Sequence, residues 1–228
     1  MQPITSPAAP DPAVLHLDGV VKRSPAGRYL LEGASGRFHA GWIYVVTGGN
    51  APARQMLSRV MAGIVPLDEG RIARDGPPPP ILGAAMGFNV GGPILRGLEM
   101  RAAAYGLDHD DYVDKVAAAL PNPEILRRQL AKVNPVDRAL VLHASTYLLP
   151  CSYFVAEGAP WPADGDIRQH LDPLIEQTRR RAAFICVSKK TNIAPNEQKR
   201  EIVRLRAGAL VFSQRKRRRK KQAEEETA

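Results

Sequence analysis

Aromatic residues are scarce: 5 Phe, 2 Trp and 6 Tyr make up 6% of 228 residues. A protein that binds single-stranded nucleic acid stacks bases on aromatic faces, so this shortage argues against that class. Cysteine is scarcer still. Cys151 and Cys186 are the two present, and they form no C-x-x-C or other metal-type spacing. Both sit in apolar runs, which predicts buried free thiols and fits a reducing compartment. No apolar run approaches the ~18–20 residues that a membrane-crossing helix needs. Met1 to Pro12 has neither a basic start nor an apolar stretch, so it does not read as a signal peptide. Its Pro and Ala content predicts a disordered N-terminus over 1–12.

What remains is ordinary for a globular chain: 44% hydrophobic and 24% charged residues. The length suits one large domain and buries a sizeable core. The net charge of +9 is uneven. Arg215 to Lys221 are seven consecutive Lys/Arg, followed by Glu224, Glu225 and Glu226, so this end carries +4 and the rest is mildly basic. Residues 213–228 therefore read as a disordered tail. Its block of charge is solvated, attracted to anionic lipid at a membrane face, or in contact with nucleic acid, the last ranking lowest.

The patterning alternates strands with helices, which predicts an α/β architecture. Ala13–Lys22 alternates apolar and polar residues, and Tyr29–Phe38 reads as another strand pair or hairpin element. Trp42–Thr47 is a β-branched and aromatic run, the pattern of a strand buried on both faces of a parallel sheet. Gly48, Gly49 and Asn50 break it. Met56, Leu57, Val60 and Met61 then carry helical spacing. A short strand begins near Gly70, Pro77–Pro80 forms a rigid break, and Ile81–Met86 is expected as a further strand. A helical subdomain is predicted over about 95–149, interrupted near Pro121, Pro123 and Pro135. Ser152–Ala156 is a short apolar run ending at Glu157. Asp166–Arg181 is predicted as a helix, Ala183–Val187 as a buried strand, and Ile202–Phe212 as a hairpin turning at Ala207-Gly208.

The strand, glycine turn and helix around Gly48 form the setting of a phosphate loop, G-x-x-x-x-G-K-[ST]. In such a loop backbone N–H groups and the helix N-terminus bind phosphate, lysine neutralises charge, and the hydroxyl holds magnesium. Here the positions read Gly48, Gly49, Asn50, Ala51, Pro52, Ala53, Arg54 and Gln55. Ala53 stands for the second glycine, Arg54 for the lysine and Gln55 for the hydroxyl residue. Alanine disfavours positive φ, and Pro52 lacks an N–H. Arg54 keeps the charge in a bulkier planar group, and Gln55 is a poor ligand for magnesium.

The flanking residues resemble a known family. Met56 to Ile72, with Leu57, Arg59, Ala62-Gly63, Pro66, Gly70 and Ile72, resembles the helix and turn after the Walker A loop of ABC ATPases. Leu31 to Ile43 resembles that family's lead-in. Gly87-Phe88-Asn89, Leu95 to Glu99 and Tyr105-Gly106-Leu107 resemble the "G-F … L-T-G-R-E-N … Y-G" run of the polysaccharide-export branch, which includes capsular polysaccharide exporters. Phe184 to Ser188 and Val203 to Gly208 resemble the family's closing strands. The resemblance covers about residues 13–212.

It implies a P-loop NTPase-like ABC nucleotide-binding domain: a β-sheet core, N-terminal antiparallel β elements and a helical subdomain. It implies ATP and magnesium as cofactors, with Gly48, Gly49, Asn50, Ala53, Arg54, Gln55 and Asn89 around the nucleotide. Asn89 falls near the Q-loop glutamine, and Glu157 matches the catalytic glutamate, the general base for water. Several positions depart from the family. No lysine occurs between Lys22 and Lys115, no glycine between Gly106 and Gly158, and no histidine after His170. The loop lysine, the signature glycine and the switch histidine are thus lost, with Lys132 to Pro135 near the signature and Lys189 at the histidine. Ala156 falls at the Walker B aspartate. The adenine-stacking aromatic is missing near Ser24, with Tyr29 a distant candidate. ATP is therefore expected to bind weakly or not at all, magnesium is doubtful, and Glu157 is a vestigial catalytic candidate. A slow ATPase resting on Arg54 and Glu157 is a rival reading. So is a regulatory or scaffold protein that keeps the fold outside transport. The implied partners are a membrane permease and a second ATPase subunit, identical or paralogous; the charge of Arg215–Lys221 adds anionic membrane contact as an alternative, with nucleic acid ranked lowest. The implied place is the cytoplasmic face of the cell membrane.

Overall fold

A computed structural model describes residues 13–193 and 199–212. The expectations for 1–12 and 213–228, including the Arg215–Lys221 run, lie outside the described residues. Strands β1 (Ala13–Arg23), β2 (Tyr29–His39) and β4 (Glu69–Arg74) form an antiparallel sheet in the order β2-β1-β4. Strands β3 (Ile43–Gly48), β5 (Tyr153–Ala156), β6 (Ala183–Val187), β7 (Arg200–Arg206) and β8 (Ala209–Phe212) form the core sheet, ordered β5-β6-β3-β7-β8. Its first four strands are parallel, and β8 returns antiparallel beside β7.

Helix α1 (Ala51–Met61) lies between the two sheets. Its Ala53, Leu57, Val60 and Met61 share a core with Leu15, Leu17, Phe38, Tyr44, Val46 and Leu205. The opposite face of the core sheet carries the helices. These are α2 (Ile94–Tyr105), α3 (His109–Ala118), α4 (Pro135–Tyr147) and α5 (Gly165–Arg181). Leu98, Val116, Leu140, Tyr147 and Leu171 pack there against Ile43, Phe154, Phe184 and Cys186. The core sheet is thus covered on both faces, which is why β3 is apolar along almost its whole length. Cys151 and Cys186 are buried and unbonded to each other, as their apolar settings predicted, and burial pushes the Cys151 thiol up to about 12.

One expectation is corrected. Ile81–Met86 is not a strand: a single bridge joins Ile81 to Val155, and the chain then turns. Gly83 lies over His143 there, where an added Cβ would stand 3.1 Å from Nε2, so the segment bends around the imidazole instead of pairing. The helical stretch is broken near Pro121, Pro123 and Pro135, as expected: 3-10 turns at Pro123–Arg127 and Leu130–Lys132 separate α3 from α4, and Pro135 ends the break. It opens α4 at a first-turn position, where its missing N–H has no intrahelical partner to lose.

Candidate functional site: the cleft at the start of the first helix

The parallel strands β3, β5 and β6 end on one side of the core sheet, the side where open α/β sheets place ligands. A cleft of about 410 Å³ opens there. Ala51, Pro52, Arg54, Gln55 and Ser58 of α1 line it, together with Glu157 and Gly158 after β5 and Val187, Ser188 and Lys189 at the end of β6. The structure therefore brings Arg54, Gln55 and Glu157 to one place. Asn89 is not among the lining residues: its Oδ1 accepts the Gly91 N–H in the turn before α2. Tyr29 is elsewhere too. It lies in β2, and the Arg23 guanidinium sits 4.7 Å from its ring centroid.

The loop itself is held by its own atoms. Gly48 and Gly49 have φ of +90° and +60°. A Cβ on Gly48 would stand 2.7 Å from the Leu205 carbonyl oxygen, and one on Gly49 2.9 Å from the Leu205 side chain. These two glycines are required by the close passage of β7 as much as by any ligand. Asn50 then caps α1: its Oδ1 accepts the Ala53 N–H at 2.8 Å, and its carbonyl accepts the Arg54 N–H. Pro52 has no N–H to offer. Ala53 lies inside the helix and is buried, so the glycine-like φ expected at its position is not called for.

Arg54 turns back over the loop. Its Nη1 donates to the Gly48 carbonyl at 3.0 Å and the Gly49 carbonyl at 2.6 Å. The guanidinium thus faces carbonyl oxygens, not a free space shaped by N–H groups. Across the cleft, the Thr47 hydroxyl donates to the Lys189 carbonyl at 3.3 Å, and the Lys190 N–H donates to Ser188 Oγ. Glu157 is exposed and is the one carboxylate in the lining. Ala156, ahead of it, is buried and apolar. Among the described residues no three His, Cys, Asp or Glu side chains gather closely enough to hold a metal ion.

Sequence reasoning missed a second depression, of about 480 Å³, between the end of α1, the proline run and α2. Ala62, Ile64, Pro78, Met86, Met100 and Tyr105 line it, and Ile64 and Met100 are 43% and 53% exposed. Its floor is Arg101, only 4% exposed. The guanidinium donates to the Met86 carbonyl, Ser145 Oγ and Thr146 Oγ1, and lies 4.5 Å from the Phe88 ring centroid. No sequence signal marks an arginine as buried. An exposed Met and Ile beside Gly and Pro turns was the available hint.

The architecture is the mixed α/β fold of an ABC nucleotide-binding domain, with its antiparallel sheet and helical layer. The ATP binding subunit of an ABC transporter superposes with a TM-score of 0.69 at 15% identity, over 88% of this chain and 89% of that one. For cbiO1 from Clostridium perfringens, part of the ABC transporter complex cbiONQ, the TM-score is 0.63 at 14% identity, over 87% of both chains. No family model matches the chain. In sequence, the ribose import ATP-binding protein RbsA 1 of Burkholderia thailandensis is 40% identical over 65 residues, 28% of this chain. That stretch is 13% of the relative's length, and the match is no longer than 15% of any of the curated relatives found. No helix among the described residues is long and apolar enough to cross a membrane.

Proposed function

We propose that this chain is an ABC-type subunit that docks on a membrane permease and does not hydrolyse ATP at its own phosphate loop. The observation that carries the reading is the turned-back Arg54. Its charge is directed to the Gly48 and Gly49 carbonyls, Pro52 offers no N–H, and the Ala53 N–H is engaged by Asn50. Residues in this arrangement do not fit a magnesium-bound triphosphate. No lysine follows the loop glycines and Ala156, not a carboxylate, precedes Glu157, while the Arg54 charge that would stabilise a transferring phosphoryl group is turned to the loop carbonyls.

The apolar depression with exposed Ile64 and Met100 supports the permease half of the proposal. It suits a short amphipathic segment on the cytoplasmic side of a membrane protein. The cargo is read from resemblance: Leu95 to Glu99 and Tyr105 to Leu107 support a capsular or related polysaccharide exporter, while the short match to a ribose import protein supports sugar transport more broadly. The protein would sit at the cytoplasmic face of the membrane.

Calorimetric titration with ATP and magnesium tests the central point, on the native chain and on Arg54→Ala. No micromolar binding is expected in either. Micromolar binding that disappears with Arg54→Ala would show a working nucleotide site and overturn the proposal.

A further inference from the structure

Arg101 is the one Lys, Arg, Asp or Glu that the fold buries among the described residues. Arg74 and Arg181 also bond neutral oxygens, but both keep contact with water. The neighbours of Arg101 supply dipoles and no charge. Its Nη2 donates to the Met86 carbonyl at 2.7 Å, and its Nη1 to Ser145 Oγ at 2.8 Å and Thr146 Oγ1 at 3.1 Å. Tyr112, Tyr105 and Cys151, the titratable groups that act on it most, are held in their neutral forms by burial. No carboxylate pairs with it among the described residues, and the acid of α2, Glu99, is engaged by Arg96 at 2.7 Å. This cation floors the depression beside α2 and is the one charged residue in its lining. Ile64, Met100 and Pro78–Pro80 form apolar walls, and the Tyr105 hydroxyl donates to the Pro78 carbonyl at 2.8 Å.

We infer that the depression takes an apolar segment of a partner protein that carries a single Glu or Asp on its docking face, directed at Arg101. The inference rests on the reading of the depression as a permease docking place, and it adds the chemistry of what docks. Neutral acceptors satisfy the N–H groups of a guanidinium but leave its charge uncompensated. In the open depression, water at the mouth screens that charge. A wholly apolar segment seated there removes the water and leaves a buried cation without a counter-charge, which is costly. One carboxylate on the segment offsets that loss, because opposite charges attract more strongly once water is excluded. The apolar walls then bind the rest of the segment, with its anchors at helical spacing, and Arg101 fixes its register.

The test uses the full-length chain with Arg215–Lys221 changed to glutamine, so that the tail does not attract acidic peptides on its own. Fluorescein-labelled amphipathic peptides share one leucine face at helical spacing and differ at its centre, which is Glu, Gln or Lys. The Glu peptide is expected to bind about tenfold more tightly than the Gln peptide, and the Lys peptide least tightly. Ile64→Gln/Met100→Gln is expected to weaken all of them. Arg101→Met is expected to bring the Glu peptide to within about twofold of the Gln peptide. Equal binding of the Glu and Gln peptides, or a Glu advantage that persists in Arg101→Met, would overturn the inference. If Ile64→Gln/Met100→Gln still weakens the peptides in that case, docking at the depression stands without the carboxylate. Binding indifferent to Ile64 and Met100, or no binding, overturns both readings. A homodimer, or binding to phosphatidylcholine vesicles, that Ile64→Gln/Met100→Gln abolishes would give the depression another occupant and overturn the inference too. Thermal melting of each variant checks folding, and Arg101→Gln, which keeps an N–H for the Met86 carbonyl, serves if Arg101→Met does not fold. The ATP titration is independent of every arm.

Discussion

Helices α1 and α4 begin alike. Each is capped by an asparagine whose Oδ1 accepts an N–H three residues on: Asn50 from Ala53 at 2.8 Å, Asn134 from Asp137 at 2.9 Å. Each has a proline in its first turn. By resemblance these are the two places where an ABC ATPase meets nucleotide, and in both the helix satisfies its own first turn. What differs is charge. Both first turns end in an arginine, Arg54 and Arg138, but α1 has no acid there, whereas α4 holds Asp137, which also accepts from Asn134 Nδ2 at 2.8 Å. A negative group at a helix N-terminus satisfies the dipole and repels a second anion. The α4 end is therefore less open to an anion than the α1 end, whose cleft holds Arg54 and Lys189 beside Glu157.

This comparison can be broken in three places. The largest effect is expected beneath α1. Gly48→Ala forces a Cβ against the Leu205 carbonyl at positive φ, and about 3 kcal/mol of stability should be lost in urea unfolding. A neutral result would mean that β7 does not dictate the loop. Next comes α4. His143 is buried on it, its Nδ1 is 3.2 Å from the Tyr147 hydroxyl, and burial lowers its pKa to about 4 from 6.5. Between those values the unfolded chain takes up a proton that the folded chain refuses. Stability should therefore fall as pH drops from 6.5 to 4, by about 3 kcal/mol at the lower end, with its full contribution kept above 6.5. His143→Gln should flatten that dependence; an unchanged slope would assign it to other groups. The smallest effect belongs to the caps. Asn50→Ala and Asn134→Ala should each remove about 1 kcal/mol, with Asn134 slightly the more costly because its amide also donates to Asp137. A silent Asn50→Ala would leave the loop held by Arg54 and by the close passage of β7.

Much of the scaffold was legible because its signals are local or periodic. The run Trp42–Thr47 announced a strand covered on both faces, and β3 is one. The spacing of Ile167, Leu171 and Ile175 gave α5 to within a residue, with Pro173 inside it. Ala207-Gly208 turns the last hairpin as expected, both with positive φ. The failures have a common cause. Ile81–Met86 has strand composition, but its fate depends on His143, which reaches it from far along the chain. At the site, the substitutions were visible letter by letter. That Arg54 would bend back to Gly48 and Gly49 was not, because the direction of a carbonyl is a property of the folded turn. Asn89 was placed by motif and found bonding its own turn, since an asparagine beside glycines competes for nearby N–H groups.

The Arg54 bonds have a kinetic side. A phosphate loop that waits for its ligand must be ordered when the ligand arrives, and binding bears that entropy. Here the loop is fastened in advance by one of its own side chains. Whatever meets this end of the sheet meets a preorganised surface, so its association should need little rearrangement of the loop.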